Sequence, residues 1–530
     1  MGIEYPKITL EGLERLLNER FNEGFLTLRD LPPPSAFKDM DKATDRIVKA
    51  IQNREKITVI GDYDVDGVVS TTLMVRFFEE IDYPIEWIIP NRFKDGYGLS
   101  SQLIPRIVGS DLAITVDNGI SAIEAAKHCK EEGIDLIITD HHIPGEILPE
   151  AYAIVNQKQD ACTFPYHEVC GAQIAWYLIA SLKNALDIKI DMVSYLELAA
   201  VAIIADVMPL QHINRAMVKR GLEAFSKSDL PAIRAFLELH QKSECSSEDI
   251  AFFLAPLLNS AGRMEDAMHA VEFLSSKNIY DARVRLERLQ GFNALRKETE
   301  EQITQKALNQ VDPNDHVIVV RGEEWHEGVV GIVAARVARV HQKPAIVLSH
   351  NGKGILKGSG RSVESCDLFE ITDACRGYLE KFGGHSAAIG LSLSEENLTP
   401  FKNALQEEYE KRDYRPQRTD PELLGILDFS LVSFDLTGLI KRFEPFGEKN
   451  TKPKFITRNV RIMESAAMGK DHNHLRFTFE HNGSFLKGVK FKTTERFEAD
   501  TLVDITYFVN ENYFNGKSSL QLLIDNIVKL

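Results

Sequence analysis

The chain of 530 residues has no apolar run of about 18 residues, so no segment reads as a membrane-spanning helix. Its first residues, MGIEYPKITLEGLERLL, bring acids early and no hydrophobic centre, so no secretory signal is expected. The Ser or Thr of a myristoylation signal is missing too. Cysteine is scarce: there are six, none in a CxxC pair. Cys162 and Cys170 flank His167 without a common zinc spacing, so all six are expected to be reduced packing residues of a cytoplasmic protein. Basic charge is in deficit, with 62 Lys and Arg against 78 Asp and Glu and a net charge of −16. That argues against a nucleic-acid coat. The deficit is uneven: residues 421–530 carry 15 basic and 14 acidic side chains, the rest 47 and 64. An acidic chain still binds a polyanion where metal ions neutralise its site and arginines line one groove. Internal repeats and low-complexity tracts are also missing.

What is present is alternation. KITVI (56–60), PIEWIIP, DLAITVD, IDLIITD and AYAIVN read as strands. Residues 68–81 and 120–133 have helical period, the latter ending in Gly133. Strands alternating with helices imply a parallel α/β sheet. From Cys170 to about Gln310 the pattern is mostly helical, ending in a long charged helix over 284–310. A second α/β segment starts at HVIVV (316–320) and runs to about Asp413. RDYRPQRTDPELL (412–424) reads as a linker, and five short strand-like runs after it suggest a small barrel or sandwich.

The stretch VIGDYDVDGVVS (59–70) crowds Asp62, Asp64 and Asp66 after the first strand. Asp117 follows the LAITV strand, and Asp140 follows LIIT with His141 and His142 behind it; Asp206 lies in AAVAIIADVMPL. Ligands of open parallel sheets bind at the carboxyl ends of the strands. Unneutralised carboxylates gathered there would repel and take up protons. Carboxylates with one or two imidazoles suit hard cations, so two divalent ions, Mn²⁺ or Mg²⁺, are expected. A pair of such ions can activate water and stabilise an in-line displacement at phosphorus. A single Asp after a strand is usually a turn residue, and Asp82, Asp111 and Asp135 fit that plainer reading. DxDxDG also echoes a calcium loop, but the twelfth residue from Asp62 is Leu73 rather than Glu.

GDYDVDG, VDNGIS (116–121), TDHHIP (139–144), ADVMPL (205–210) and LLNSAGRM (257–264) together resemble the DHH phosphoesterase superfamily. Within it they resemble the RecJ family of single-strand-specific exonucleases. WHEGVVGIVAARV (325–337), GSGRS (358–362) and FGGHSAAIG (382–390) resemble the DHH-associated domain. The resemblance implies four parts: a parallel-sheet domain with the dinuclear site (1–225), a helical region (226–312), a smaller α/β domain (313–415) and an all-β OB-fold barrel (416–530). It implies one metal on Asp62 and Asp64, another on Asp66, His141 and Asp206, and Asp117 bridging. His142 would face the scissile phosphate, or alternatively orient His141, and Asp140 would support the loop. Other DHH subfamilies, such as the pyrophosphatases, place a histidine where Ile60 stands here, which favours the exonuclease.

Arg263 with Asn259 is a candidate phosphate clamp, since a guanidinium matches phosphate oxygens bidentately. Ser359 and Arg361, with Gly384 and His385, form a candidate nest for a terminal phosphate, and Arg92 is a weaker candidate for it. Lys487, Lys490, Lys492, Phe477, Phe491 and Tyr513 are candidate barrel contacts with a single strand. Two departures stand out: Leu257 replaces an expected arginine, and PFGEKNTKP (445–453) lacks the second Gly and a Pro of PFGxGNPxP. The activity implied is 5′-to-3′ hydrolysis of single-stranded DNA to nucleoside 5′-monophosphates, in repair and recombination. The partners implied are single-strand-binding protein and a helicase, with a monomeric enzyme. The alternatives are a phosphodiesterase for short oligoribonucleotides, cyclic dinucleotides or phosphoadenosine phosphate, and an inactive scaffold.

Overall fold

The computed structural model describes residues 5–350, 352, 354–363, 366–412, 414, 422–469, 472–493, 495–514 and 517–530. Five parallel strands open the architecture: β1 (Ile57–Ile60), β2 (Glu86–Ile88), β3 (Leu112–Val116), β4 (Asp135–Thr139) and β5 (Ala153–Val155), in the order β2-β1-β3-β4-β5. β1, β3 and β5 are buried along their whole length, because helices cover both faces of the sheet. Helices Met40–Asn53, Val65–Glu80 and Gly171–Ala185 pack one face, and Ile104–Ile107 with Ile123–Glu131 the other. Burial on two sides is why these strands read as continuous apolar runs rather than as alternation.

The 30-residue helix Ile279–Leu308 is about 45 Å long. Ala282, Leu286 and Leu289 near its start belong to the first core; Ile303 and Ala307 near its end belong to the next α/β unit. It therefore bridges two cores instead of packing along one. The second sheet is mixed: β6 (Ile318–Glu323), β7 (Ala345–His350), β8 (Ile355–Arg361), β9 (Lys381–His385) and β10 (Ala388–Ser394), ordered β6-β7-β8-β10-β9.

The last unit has β11 (Leu423–Ile426), β12 (Lys454–Met468), β13 (His474–His481), β14 (Ser484–Lys490), β15 (Leu502–Phe514) and β16 (Lys517–Lys529). Pairing of β12 with both β13 and β15 closes a five-stranded barrel. Most of the expected linker, residues 413 and 415–421, lies outside the described residues.

The hydrophobic cores divide the chain differently from the expected segments. Ile8, Leu13, Leu17 and Phe21, from the amino end, lie in the barrel core, and residues as far as Leu289 share the core of the first unit. The barrel is fixed to that unit by side chains that cap backbone carbonyls. Arg215 Nη2 donates to the Arg442 and Glu444 carbonyls at 3.2 and 2.8 Å while its guanidinium lies 4.1 Å over the Phe25 ring. Ser247 Oγ donates to the Phe446 carbonyl at 2.6 Å. Within the PFGEKNTKP junction, Asn450 Nδ2 donates to the carbonyls of Phe443 and Pro445. Lys449, standing where the family pattern has glycine, adopts a left-handed φ of 56°. The turn is made there without its glycine.

Candidate active site

The acidic residues reach one rim by distinct local devices. Asp64 caps helix Val65–Glu80, accepting the Gly67 N–H at 3.1 Å. Gly67 is needed there: a Cβ would lie 2.5 Å from the Asp62 backbone. Asp66, in the first helical turn, accepts the Gly171 and Ala172 N–H groups at 2.6 and 2.8 Å, at the amino end of helix Gly171–Ala185. Asp117 follows β3 with a left-handed φ of 62°, pressed so closely on Gly171 that a Cβ on Gly171 would come within 2.5 Å of its own Cβ. Asp206 comes from the carboxyl end of helix Met192–Ala205, not from a strand.

The ligand atoms gather in groups within 4.8 Å of one another: Asp62, Asp64 and Asp117; Asp66, His141 and Asp206; and Asp117, His141 and His142. His141 Nε2 lies 3.2 Å from Asp117 Oδ1 and 3.7 Å from both Asp66 Oδ2 and Asp206 Oδ2. Asp62 Oδ1, Asp117 Oδ1, Asp206 Oδ2 and His141 Nδ1 are buried without a hydrogen-bond partner. Burial, then the neighbouring carboxylates, push Asp62, Asp64 and Asp117 above the usual carboxylate range, and Asp206 up to about 8. Burial keeps His141 below its ordinary value, and so neutral and able to ligate. Orphaned buried oxygens that repel one another fit divalent cations; across the three groups the donors are five carboxylates and two imidazoles, with no thiolate.

Asp140 is not a member of these groups. Its carboxylate accepts the Ile120 N–H at 2.8 Å, the His142 N–H at 3.1 Å and His142 Nδ1 at 2.7 Å. Through these bonds it holds the loop and supports His142. Burial opposes protonation of His142, but the Asp140 bond and the charges of Asp64 and Asp62 outweigh it, raising His142 to about 9. The other ring nitrogen, Nε2, meets the Tyr97 hydroxyl at 3.2 Å.

Beside the acids lies a cluster of guanidinium groups. Arg92 sits 4.1 Å over the ring of Tyr63, which separates Asp62 from Asp64 in sequence. Burial, then the charges of Arg92, Arg296 and Arg361, lower Arg263 to about 10. Arg263 Nη1 donates to the Gly328 carbonyl at 3.2 Å. Asn259 is half-buried one helical turn before Arg263, on the same helix face. In the second sheet Arg361 pairs across β10 with Ala388, which pairs with His385; Ser359 lies two residues away on β8. A Cβ on Gly331 would fall 3.0 Å from Arg361 Nη2 and 3.5 Å from Ser359 Oγ. Gly384 has φ 142°, and a Cβ there would meet the Ala388 carbonyl at 2.3 Å, so its first duty is to the hairpin. Leu257, in the place of the expected arginine, is buried in the core and offers no contact with a phosphate.

Sequence reasoning passed over Tyr97 and Tyr63. Tyr97 stands in the same PNRFKDGYGL stretch as Arg92, but its contact with His142 depends on the fold. Phe477, expected on the barrel surface, is instead 3% exposed and stacked on Phe479 at 5.0 Å. Its strand alternates, and Phe477 falls on the inward side. Lys487, Phe491 and Lys492 are exposed, and Lys490 donates to the Asp525 carbonyl. The Tyr513 side chain lies outside the described residues.

A parallel sheet carrying DxDxD, a left-handed Asp and an Asp-His-His run, followed by a second α/β unit, defines a DHH phosphoesterase. Family models agree: residues 56–203 match the DHH family N-terminal domain, 314–411 the DHHA1 domain and 425–526 the RecJ OB domain. The single-stranded-DNA-specific exonuclease RecJ of Escherichia coli is 32% identical, over 94% of this chain and 92% of its own length. That of Bacillus subtilis is 34% identical over 93% of this chain, which spans only 64% of the relative. The crystal structure of Thermus thermophilus RecJ in complex with Mn²⁺ matches with a TM-score of 0.80 at 28% identity, over 93% of this chain and 72% of that one. A Mg²⁺ complex of the same protein matches with a TM-score of 0.74. The chain belongs to the RecJ family.

Proposed function

We infer that the chain is a metal-dependent exonuclease that hydrolyses single-stranded DNA from the 5′ end and releases nucleoside 5′-monophosphates. The observation that carries the reading is the adjacency of orphaned acids and guanidiniums that, among the described residues, form no ion pair. The Arg92 charge is felt at Asp62, and the Asp64 charge at Arg263. One phosphodiester can therefore sit over the acids while a neighbouring phosphate is held by arginine. Asp62 and Asp64 would hold one divalent cation, Asp66, His141 and Asp206 the second, with Asp117 between them. The cations, when bound, neutralise the scissile phosphate and activate the attacking water.

The chain's own residues do the rest. Arg263, with Asn259, Arg92, Arg361, Ser359 and His385, binds and orients the terminal phosphate. His142, held by Asp140 and charged at neutral pH, faces the phosphate and supplies a proton to the departing 3′ oxygen. The exposed Lys487, Phe491 and Lys492 of the barrel support the reading of a strand-binding surface. No described helix is long and apolar enough to cross a membrane. We further propose a monomer at work in the cytoplasm, in repair and recombination, with single-strand-binding protein and a helicase as partners.

One single-stranded oligomer, digested in Mn²⁺ with the label at the 5′ end or at the 3′ end, tests this. The 5′ label is expected as mononucleotide at once, while the 3′-labelled strand shortens gradually. Intact long strands together with cleaved dinucleotides would move the substrate to short oligonucleotides.

A further inference from the structure

Behind β5 the chain runs Asn156-Gln157-Lys158-Gln159. The three amides are buried, at 0, 0 and 7% exposure, and Lys158 between them is half-exposed. Each amide holds backbone. Asn156 Nδ2 donates to the His142 carbonyl at 2.9 Å while its Oδ1 accepts the Lys158 N–H at 2.7 Å. Gln157 Nε2 donates to the His167 and Val169 carbonyls, on the segment leading to the helix end that holds Asp66. Gln159 Nε2 donates to the Ile154 and Asn156 carbonyls. Lys158 is thus tied through one side chain to His142 and through its neighbour to the Asp66 support.

Buried amides are costly to place unless hydrogen-bonded; each of these three amide nitrogens finds a carbonyl, although Gln157 Oε1 is buried without a partner, and together they fix the seat of one lysine. Among the described residues its ammonium has no hydrogen bond or ion pair. The Asn156 side chain, bonded to both the Lys158 N–H and the His142 carbonyl, seats Lys158 beside the Asp140–His142 loop. Arg92 lies over Tyr63, between Asp62 and Asp64, so a cation stands beside each of two loops that carry the acids. A strand crossing the rim would place a phosphate near each flank.

We propose that Lys158 is a further catalytic residue, whose ammonium ion binds a nonbridging oxygen of a substrate phosphate on the Asp140–His142 side of the cleft. The inference rests on the exonuclease reading, and its test separates the two. Lys158→Met in the full-length enzyme is compared with wild type on a short 5′-phosphorylated oligomer. With Mn²⁺ the expected loss in kcat/KM is about 10- to 100-fold, the range of one charge-assisted contact. Mn²⁺ affinity should not weaken, because removing a cation beside anionic ligands leaves their attraction for metal intact. Lys158→Arg, which keeps the charge, should recover most of the loss. Methylphosphonate linkages walked along the oligomer locate the contact: at the touched phosphate wild type slows and Lys158→Met slows no further.

Oligomer binding in Ca²⁺, followed by fluorescence anisotropy, needs no turnover. If Lys158→Met binds the oligomer as wild type does and keeps kcat/KM, the proposal is overturned and the lysine merely tempers the carboxylates. If binding weakens although wild type does not hydrolyse the oligomer, Lys158 contacts the strand and the exonuclease reading is what fails.

Discussion

Two sets of arginines in this molecule behave in opposite ways. Arg46 bonds Asp135 at 2.6 Å and Glu55 at 2.7 Å, and Arg76 bonds Glu197 at 3.0 Å and Glu80 at 3.1 Å. Burial works against Arg46, but these bonds outweigh it and raise its proton affinity. Among the described residues, Arg263 and Arg361 find only carbonyls, at Gly328 and Gly360, and Arg92 Nε finds no partner. Burial lowers both Arg263 and Arg361. The first set is ion-paired and structural. The second set is desolvated, gathered and, among the described residues, without hydrogen-bonded counter-anions, beside carboxylates that are equally unsatisfied. A fold that leaves both signs unsatisfied within one cleft has reserved them for ions and phosphates from outside.

The largest expected effect lies on the acidic side. Asp117→Asn removes the carboxylate common to two ligand groups, and turnover of single-stranded DNA should fall by at least about 1000-fold, the several kcal/mol that paired metals supply. The metal-free variant should nevertheless melt no lower than metal-free wild type, because a repelling charge is gone. An active variant, or one that melts far lower, would reduce Asp117 to a packing residue.

The arginine contrast itself is tested next. Arg263→Met should cut kcat/KM for 5′-phosphorylated DNA by about 100-fold and barely move Tm, since no carboxylate loses its partner. Arg46→Met should leave kcat/KM alone and destabilise the fold by about 2 kcal/mol, less than a fully buried pair would because Asp135 is half-exposed. Calorimetry and steady-state rates on both variants decide it. If both lose stability alike, the distinction between the two sets collapses.

The sequence made much of the site legible, because DxDxDG, VDNG and TDHH stand at the ends of β1, β3 and β4, neighbours in the sheet, and strand ends meet at one rim. Local order therefore translated into proximity. Asp206 was legible only through its motif, since a helix end carries no such rule. The cores were less legible: nothing in LEGLERLLN (10–18) says that its apolar stripe packs in a barrel that begins over 400 residues later. Phe477 and the Tyr97–His142 contact show the same limit. Inward against outward, and one loop against another, are settled by tertiary packing that no local pattern encodes.

The acid cluster also predicts a pH dependence opposite to that of ordinary ion pairs. Asp206 titrates near 8 in the fold against an ordinary carboxylate value near 4, and Asp62 and Asp117 are shifted the same way. A folded-state value above the unfolded one stabilises at low pH, and that contribution is lost as pH rises through the folded value. Metal-free protein should therefore lose stability from this source between about pH 4 and pH 8. Mn²⁺ replaces the protons, so its stabilising shift in Tm should be larger at pH 8 than at pH 5.5. An equal shift at both values would mean that the carboxylates do not hold the ion.

The smallest expected effect is at Lys449, in the junction to the barrel. The left-handed backbone costs a residue with a Cβ about 1 kcal/mol, and glycine adopts it freely. Lys449→Gly should stabilise the junction by up to that amount, offset in part by the greater freedom of glycine in the unfolded chain. Its turn is already anchored, by Asn450 to the Phe443 and Pro445 carbonyls and by paired backbone bonds between Gly447 and Asn450 at 3.0 and 3.1 Å. Turnover should be unchanged, because the substitution relieves strain in a seam that already holds the barrel against the Arg215 helix. A fall in Tm would instead give the Lys449 side chain a stabilising contact larger than the backbone cost.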